Sequence, residues 1–142
     1  MFQGLSKLTL DAKGRISVPA RHRDALITKC EGRVTLTRHP DGCLLLYPRS
    51  RWEQKRDELS RLPYDARVLQ RILVGSAVDL ELDNSGRLLV SPELREAAGL
   101  DREAMLSGVG EHFELWEPAR MREVEQKHLA DGGLTAAGNF TV

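Results

Sequence analysis

The chain has 142 residues, of which 41% are hydrophobic and 30% are charged, a composition typical of a soluble globular protein with one domain or two small ones. It has no apolar run near the roughly 18 residues that cross a bilayer, and its N-terminus lacks the pattern of a secretory signal, so we expect a cytoplasmic protein without membrane association. The cysteines, Cys30 and Cys43, lack zinc-type spacing and are too few for a disulfide framework, which argues against a metal site.

The net charge of zero conceals an asymmetry along the chain. Residues 1–56 contain twelve basic and five acidic residues, an excess of seven positive charges, and residues 57–142 carry the opposite excess. Such a division indicates two surfaces with different partners, although chance patterning of a solvated surface remains the alternative.

An internal repeat organises the sequence. Leu10–Val18 and Leu82–Val90 share the pattern L-D-x-x-G-R-φ-x-V, where φ is aliphatic, at an offset of 72 residues. We therefore predict a first unit over residues 1–60, a helical connector over 61–75, a second unit over 76–130 and a flexible tail over 131–142.

Elements of the first unit follow from its turn residues and aliphatic runs. A β-hairpin is predicted around Asp11-Ala12-Lys13-Gly14, because Asp initiates turns and Gly accepts the left-handed conformation that closes them. In chain order we predict strands at Lys7–Leu10 and Arg15–Val18, a helix at Ala20–Ile27, strands at Arg33–Thr37 and Cys43–Tyr47, and a helix from Pro48 to Leu59.

The second unit repeats this plan after a helical connector at Tyr64–Leu73. In chain order we predict strands at Ser76–Leu82 and Arg87–Val90, a helix at Pro92–Ala98, strands at Ala104–Ser107 and His112–Trp116, and a helix from Pro118 to about Leu129.

Four strands per unit are too few to bury a good core alone, so the two units should pack together as one mixed β structure. The expected inward residues are Leu8, Leu10, Ile16, Val18, Val34, Leu36, Leu44 and Leu46 in the first unit and Val78, Leu80, Leu88, Val90, Met105, Phe113 and Leu115 in the second.

Arg15 is the leading candidate for a binding residue, because it follows a tight turn and can project from a rigid edge. A guanidinium matches guanine O6/N7 or a phosphate in a bidentate way, whereas a purely structural Asp11–Arg15 pair that stiffens the turn closed by Gly14 is the alternative. Nearby cations favour DNA binding for the first unit and would attract phosphates: Lys7, Lys13, Arg21 and Arg23.

The second turn, which contains Asp83, Gly86 and Arg87, has more acidic surroundings. Ser85 stands where the first unit has Lys13, and Glu93, Asp79 and Glu81 add negative charge that would repel phosphates. We therefore interpret Arg87 as mainly structural or interfacial. No histidine has an acid or nucleophile at a recognisable spacing, so we expect neither enzyme activity nor a cofactor.

Three segments of the sequence resemble the MraZ family, and the resemblance covers roughly residues 1–130. They are Met1-Phe2-Gln3-Gly4, Asp11-Ala12-Lys13-Gly14-Arg15 and Asp83-Asn84-Ser85-Gly86-Arg87. The resemblance implies two tandem SpoVT-AbrB-type units in a mixed α+β, β-rich fold, an AbrB-like swapped-hairpin barrel with short helices in which the repeats are pseudo-symmetric. It also implies homo-oligomeric rings.

The same resemblance implies a function. Members bind double-stranded DNA sequence-specifically at direct repeats in the promoter of the division and cell wall gene cluster, usually as repressors, which would place the protein at the nucleoid. An AbrB-type antitoxin-like module that binds both DNA and a toxin is the alternative, although it predicts one unit with a toxin-binding tail. A pure assembly protein, whose rings bind other proteins, is a third possibility.

Overall fold

A computed structural model describes all 142 residues. It contains eight strands and five α-helices, with a 3-10 turn at Tyr64–Ala66 before the third helix and another at Gly133–Ala137. The strands are β1 (Phe2–Thr9), β2 (Arg15–Ser17), β3 (Arg33–Arg38), β4 (Leu44–Pro48), β5 (Val78–Glu81), β6 (Arg87–Leu89), β7 (Glu103–Gly110) and β8 (Phe113–Trp116). The helices are α1 (Ala20–Cys30), α2 (Arg49–Ser60), α3 (Arg67–Leu73), α4 (Pro92–Ala98) and α5 (Pro118–Ala130).

The predicted helices are all present, and their starts reflect the local sequence. Pro92 and Pro118 occupy the first turns of α4 and α5, where a missing N–H costs no hydrogen bond. Gly99 ends α4 in the left-handed conformation, which glycine adopts without a steric cost. None of the helices is both long enough and apolar enough to span a bilayer. The predicted flexibility of residues 131–142 stays a prediction.

All strand pairs are antiparallel, and they form two sheets. Six strands make one sheet in the order β1-β7-β8-β4-β3-β5, and β2 pairs with β6 in a separate two-stranded ribbon. The predicted hairpins β3–β4 and β7–β8 are confirmed. The mixed α+β class is confirmed as well, but no closed barrel is seen, because β1 and β5 are the two edges of an open strand order.

The first predicted hairpin of each unit is wrong. The turns are present, but β1 pairs with β7 and not with β2, and β5 pairs with β3 and not with β6. The reason is burial, because exchanging strands lets both repeats share one core that neither could enclose alone. An alternating pattern predicts a strand and its buried face, but it does not specify the partner strand.

Strand exchange gives the chain internal pseudo-two-fold symmetry. When each strand of the first repeat is replaced by its counterpart in the second, the six-strand order reads the same in reverse. The symmetry axis therefore passes between β4 and β8 in the large sheet and between β2 and β6 in the ribbon.

The main core lies between one face of the large sheet and the ribbon. Eleven of the expected inward residues are buried in it: Leu10, Ile16, Val18, Val34, Leu36, Leu44, Leu46, Leu88, Val90, Phe113 and Leu115. Leu8 and Leu80 pack against it while partly buried. Two expectations were wrong, because Val78 is exposed, and Ala104 and Leu106 of β7 enter the main core while Met105 lies on the opposite sheet face.

A second core covers that opposite face of the sheet. Leu45 and Tyr47 of β4 pack there with Trp52 of α2, Leu73 of α3 and Trp116 of β8. Both tryptophans are therefore core anchors. Helices α2, α3 and α5 therefore lie on this side of the sheet, whereas α1 and α4 lie on the other side with the ribbon, because Leu26 and Leu94 belong to the main core.

Candidate nucleic-acid interface

The ribbon of β2 and β6 places both candidate arginines on one surface. Arg15 lies opposite Leu89, Ile16 opposite Leu88, and Ser17 opposite Arg87. Because side chains alternate along a strand, the buried pair Ile16 and Leu88 faces the core, and the other four side chains face outward. We call these four, Arg15, Ser17, Arg87 and Leu89, the ribbon face.

Hydrogen bonds to Asp11 hold the first turn together. One carboxylate oxygen accepts from the backbone N–H groups of Lys13 and Arg15, each at 2.9 Å, and the other accepts from Arg15 Nε at 2.8 Å. The backbone N–H of Arg15 is the main reason that the pKa of Asp11 is lowered to about 2, so this carboxylate is ionised at neutral pH. Gly14 closes the turn with a φ of 84°.

The second turn is a geometric copy of the first. Asp83 accepts from the backbone N–H groups of Ser85 at 2.8 Å and Arg87 at 2.9 Å, and its other oxygen accepts from Arg87 Nε at 2.9 Å. The pKa of Asp83 is also lowered, chiefly by the backbone N–H of Arg87. Gly86 has a φ of 75°.

In both turns the aspartate pairs with the arginine, but most N–H donors of the arginine remain free. Asp11 and Asp83 accept only from Nε, and the Nη groups of Arg15 and Arg87 donate to no other protein atom. The structural Asp–Arg pair and a binding role are therefore compatible, because the pair fixes the direction of each guanidinium and its Nη donors point outward.

The structure places Arg23 differently from the sequence prediction. It lies against the second turn rather than the first, where its side chain packs on Gly86 and its Nη2 donates to Val18 O at 3.1 Å. Arg95 has the reciprocal position, packing on Gly14 while its Nε donates to Val90 O at 3.0 Å. Sequence reasoning missed Arg95, although the repeat alignment with Arg23 was the signal that could have identified it.

The other cations predicted to bind DNA do not all lie on the same side of the molecule as the ribbon face. Lys13 is exposed on the first turn itself. Arg21 is exposed on α1, beside Gly4 and 3.4 Å from Ser6 Oγ. Lys7 is exposed on β1 opposite Met105, so its side chain lies on the sheet face away from the ribbon.

One of the acidic residues expected beside the second turn forms its contacts with other parts of the chain. Asp79 accepts from the hydroxyl of Thr35 at 2.7 Å and lies 3.4 Å from Arg49 Nε, so another cation balances its charge. Glu81 and Glu93 are exposed. The electrostatic contrast between the two turns is therefore smaller than the sequence predicted.

No cluster of histidine, cysteine or acidic side chains could hold a metal ion. Both cysteines are free, and burial is the main cause that raises the pKa of Cys43 to about 12, so its thiol stays protonated. Burial likewise lowers the pKa of His22, so that side chain is neutral at pH 7.

The fold and this surface define a class: a duplicated α+β protein that exchanges strands between its repeats and presents two Asp–Arg turns on one exposed ribbon. A family model described as "MraZ protein, putative antitoxin-like" matches the chain twice, over residues 1–74 and 73–137.

Several transcriptional regulators are similar to this chain over essentially its full length. The protein "Transcriptional regulator MraZ" of Bordetella pertussis is 60% identical over 141 residues, which is 99% of each chain. Those of Herminiimonas arsenicoxydans and Burkholderia cenocepacia are each 58% identical over 141 residues, again 99% of each chain. The chain therefore belongs to the MraZ family of transcriptional regulators, which confirms the resemblance seen in the sequence.

Proposed function

We propose that this chain is a sequence-specific DNA-binding regulator that contacts double-stranded DNA through the ribbon face. The observation that carries the proposal is the pair of guanidinium groups, each fixed through Nε by an aspartate and each with unpaired Nη donors on the same exposed surface. Fixed donors lose little conformational entropy when they bind, which favours recognition of a particular base.

A two-stranded ribbon is narrow enough to enter the major groove of B-DNA, where guanine presents O6 and N7 as acceptors. In this arrangement Arg15 contacts a base, while Lys13 and Arg21 contribute sequence-independent attraction to the phosphates. Lys7 and Arg23 remain candidates for phosphate contacts, but both lie away from Arg15. Arg87 serves mainly the fold or an interface, because the first turn carries the greater share of exposed cations.

The proposed target is the promoter of the division and cell wall gene cluster, bound at direct repeats and repressed. Support comes from membership in the MraZ family together with the duplicated fold. We further propose that the protein acts as a homo-oligomeric ring in the cytoplasm, at the nucleoid, because several copies bound to adjacent repeats gain affinity by avidity. Light scattering at micromolar concentration should give a species larger than a dimer, and a 15.9 kDa monomer would contradict the ring.

No catalysis and no cofactor form part of this proposal. The antitoxin-like alternative would require a protein partner as well as DNA. If the purified chain binds and neutralises a toxin, the alternative is favoured. If it binds its own upstream DNA with no toxin partner, the regulator is favoured.

The direct test is fluorescence anisotropy with a labelled duplex from the region upstream of the chain's own gene and a scrambled duplex of equal composition. We expect tighter binding to the upstream duplex at every salt concentration, and weaker binding to both duplexes as salt rises, because phosphate contacts release counterions. Equal affinity for the two duplexes would contradict sequence specificity.

A further inference from the structure

The outer surface of the ribbon departs from pseudo-two-fold symmetry at one pair of positions. The symmetry relates Arg15 to Arg87 and the buried Ile16 to Leu88. It also relates Ser17 to Leu89, and there a small hydroxyl side chain corresponds to a large aliphatic one. Arg15 is therefore paired across the ribbon with Leu89, while Arg87 is paired with Ser17.

Leu89 has no packing role in the chain that would account for it. Its exposed fraction is 48%, and it belongs to neither hydrophobic core. A directly opposed pair in an antiparallel ladder has Cβ atoms about 5 Å apart, so Leu89 and Arg15 are neighbouring side chains on the ribbon face. The ribbon face thus presents a hydrogen-bond donor and an apolar group side by side.

This pairing matches the chemistry of the major groove. Guanine offers two acceptors to a guanidinium, and the 5-methyl group of thymine is the apolar group that the major groove presents to a leucine. We propose that Leu89 contacts the methyl group of a thymine next to the guanine that Arg15 contacts, and that Leu89 is thereby a specificity-determining residue. The inference rests on the proposed function and adds the chemical identity of the second base.

One consequence concerns direction along the DNA. Arg87 with Ser17 cannot make the same apolar contact, so the two ends of the ribbon face are chemically unlike although their turns have the same geometry. A chain with unlike ends binds a non-palindromic unit in one orientation, whereas a strictly symmetric ribbon would read both orientations equally. Leu89 would therefore set the orientation of each subunit on its repeat.

The test uses the full-length protein and a duplex that carries one binding unit, defined by footprinting of the upstream region. Each thymine in that unit is replaced in turn by deoxyuridine, which removes only the methyl group. For the unaltered protein we expect one position at which the replacement weakens binding by about four-fold, as for one buried methyl group. In Leu89→Ser that sensitivity should vanish, and in Leu89→Thr it should be reduced.

Val109→Ser is the matched control, because Val109 is an aliphatic strand residue with an exposed fraction of 45% on β7, outside the ribbon. It should keep the full sensitivity to deoxyuridine. Sensitivity that persists in Leu89→Ser, or the absence of any sensitive thymine in a protein that binds specifically, would overturn the role of Leu89 and leave the proposed function standing. Failure of the unaltered protein to prefer its upstream DNA would instead overturn the proposed function.

Discussion

The two Asp–Arg turns are nearly identical in their internal geometry and differ in what surrounds them. In each turn an aspartate accepts from two backbone N–H groups and from the arginine Nε, within 0.1 Å of the corresponding distances in the other. Their neighbours differ, because Lys13 and Leu89 lie beside the first arginine, whereas Ser85 and Ser17 lie beside the second. The motif therefore builds a rigid arginine, and the adjacent side chains decide what that arginine can recognise.

The largest difference between the turns should appear in DNA affinity. Arg15→Ala should weaken binding to the upstream duplex by about tenfold or more, since loss of a base-reading arginine costs about 1–3 kcal/mol. Arg87→Ala should leave affinity for a single binding unit nearly intact. Anisotropy titrations at two salt concentrations compare the two variants.

Oligomeric state is the control for this pair of variants, because loss of a ring lowers avidity without removing a contact. Light scattering should show the same species for both variants and the unaltered protein. Equal losses of affinity with rings intact would show that both turns contact DNA in spite of the acidic residues near the second.

The two turn glycines should differ less from each other, and the difference should appear in folding stability. Gly14→Ala and Gly86→Ala each force a side chain into a positive φ, which costs about 1–3 kcal/mol of unfolding free energy. Gly86→Ala should be the more damaging, because its new methyl group would overlap Cδ and Nε of Arg23, whereas that of Gly14→Ala meets the end of the Arg95 side chain at 2.7 Å.

Urea unfolding measures both values. Gly138→Ala provides the control, because Gly138 also has a positive φ, of 60°, but has open space around its Cβ position. It should cost less than either turn variant. A cost of Gly86→Ala no larger than that of Gly138→Ala would mean that Arg23 does not pack on that turn.

The smallest effect concerns pH and compares equivalent positions in the two repeats. His22 is buried beside Phe113, with ring centroids 4.9 Å apart, where the second repeat has Leu94. Burial lowers the pKa of His22, and Arg21 adds to this. Because the unfolded chain binds a proton that the folded chain resists, stability should fall as the pH drops below the unperturbed value of about 6.5.

His22→Leu should flatten this part of the pH dependence, which urea unfolding at pH 7.5 and pH 5.5 can measure. His112, whose pKa is also lowered by burial, titrates in both proteins, and the difference between the variants therefore isolates His22. An unaltered pH dependence in His22→Leu would mean that the imidazole is hydrated in the folded protein.

The sequence predicted the local structure better than the long-range pairing. Aspartate and glycine located both turns, and proline residues located the helix starts, because these signals act through nearby backbone atoms. The partners of β1 and β5 were mispredicted, since strand pairing is decided by which arrangement buries both repeats. Met105 was misplaced for a related reason, because short strands give few residues from which to determine which face is buried.

The sequence predicted the turn at the centre of the candidate site, but not all of the side chains that surround that turn. Arg15 and Asp11 were identified as a turn-borne pair, and the structure shows that pair with its Nη groups unpaired. The packing of Arg23 on the turn of the other repeat and the position of Leu89 opposite Arg15 could not be inferred, because both depend on strand exchange. Fewer cations therefore lie beside Arg15 in the structure than their closeness in the sequence suggested.

The central claim is that the ribbon face contacts DNA, and site-specific photo-cross-linking tests it most directly. A photoreactive amino acid placed at Ser17, an exposed position of the ribbon face, should cross-link to the labelled upstream duplex, and unlabelled upstream duplex should compete more strongly than scrambled duplex. The same amino acid placed at Val109, on β7 outside the ribbon, should give no specific cross-link. A specific cross-link from Val109 with none from Ser17 would contradict the account.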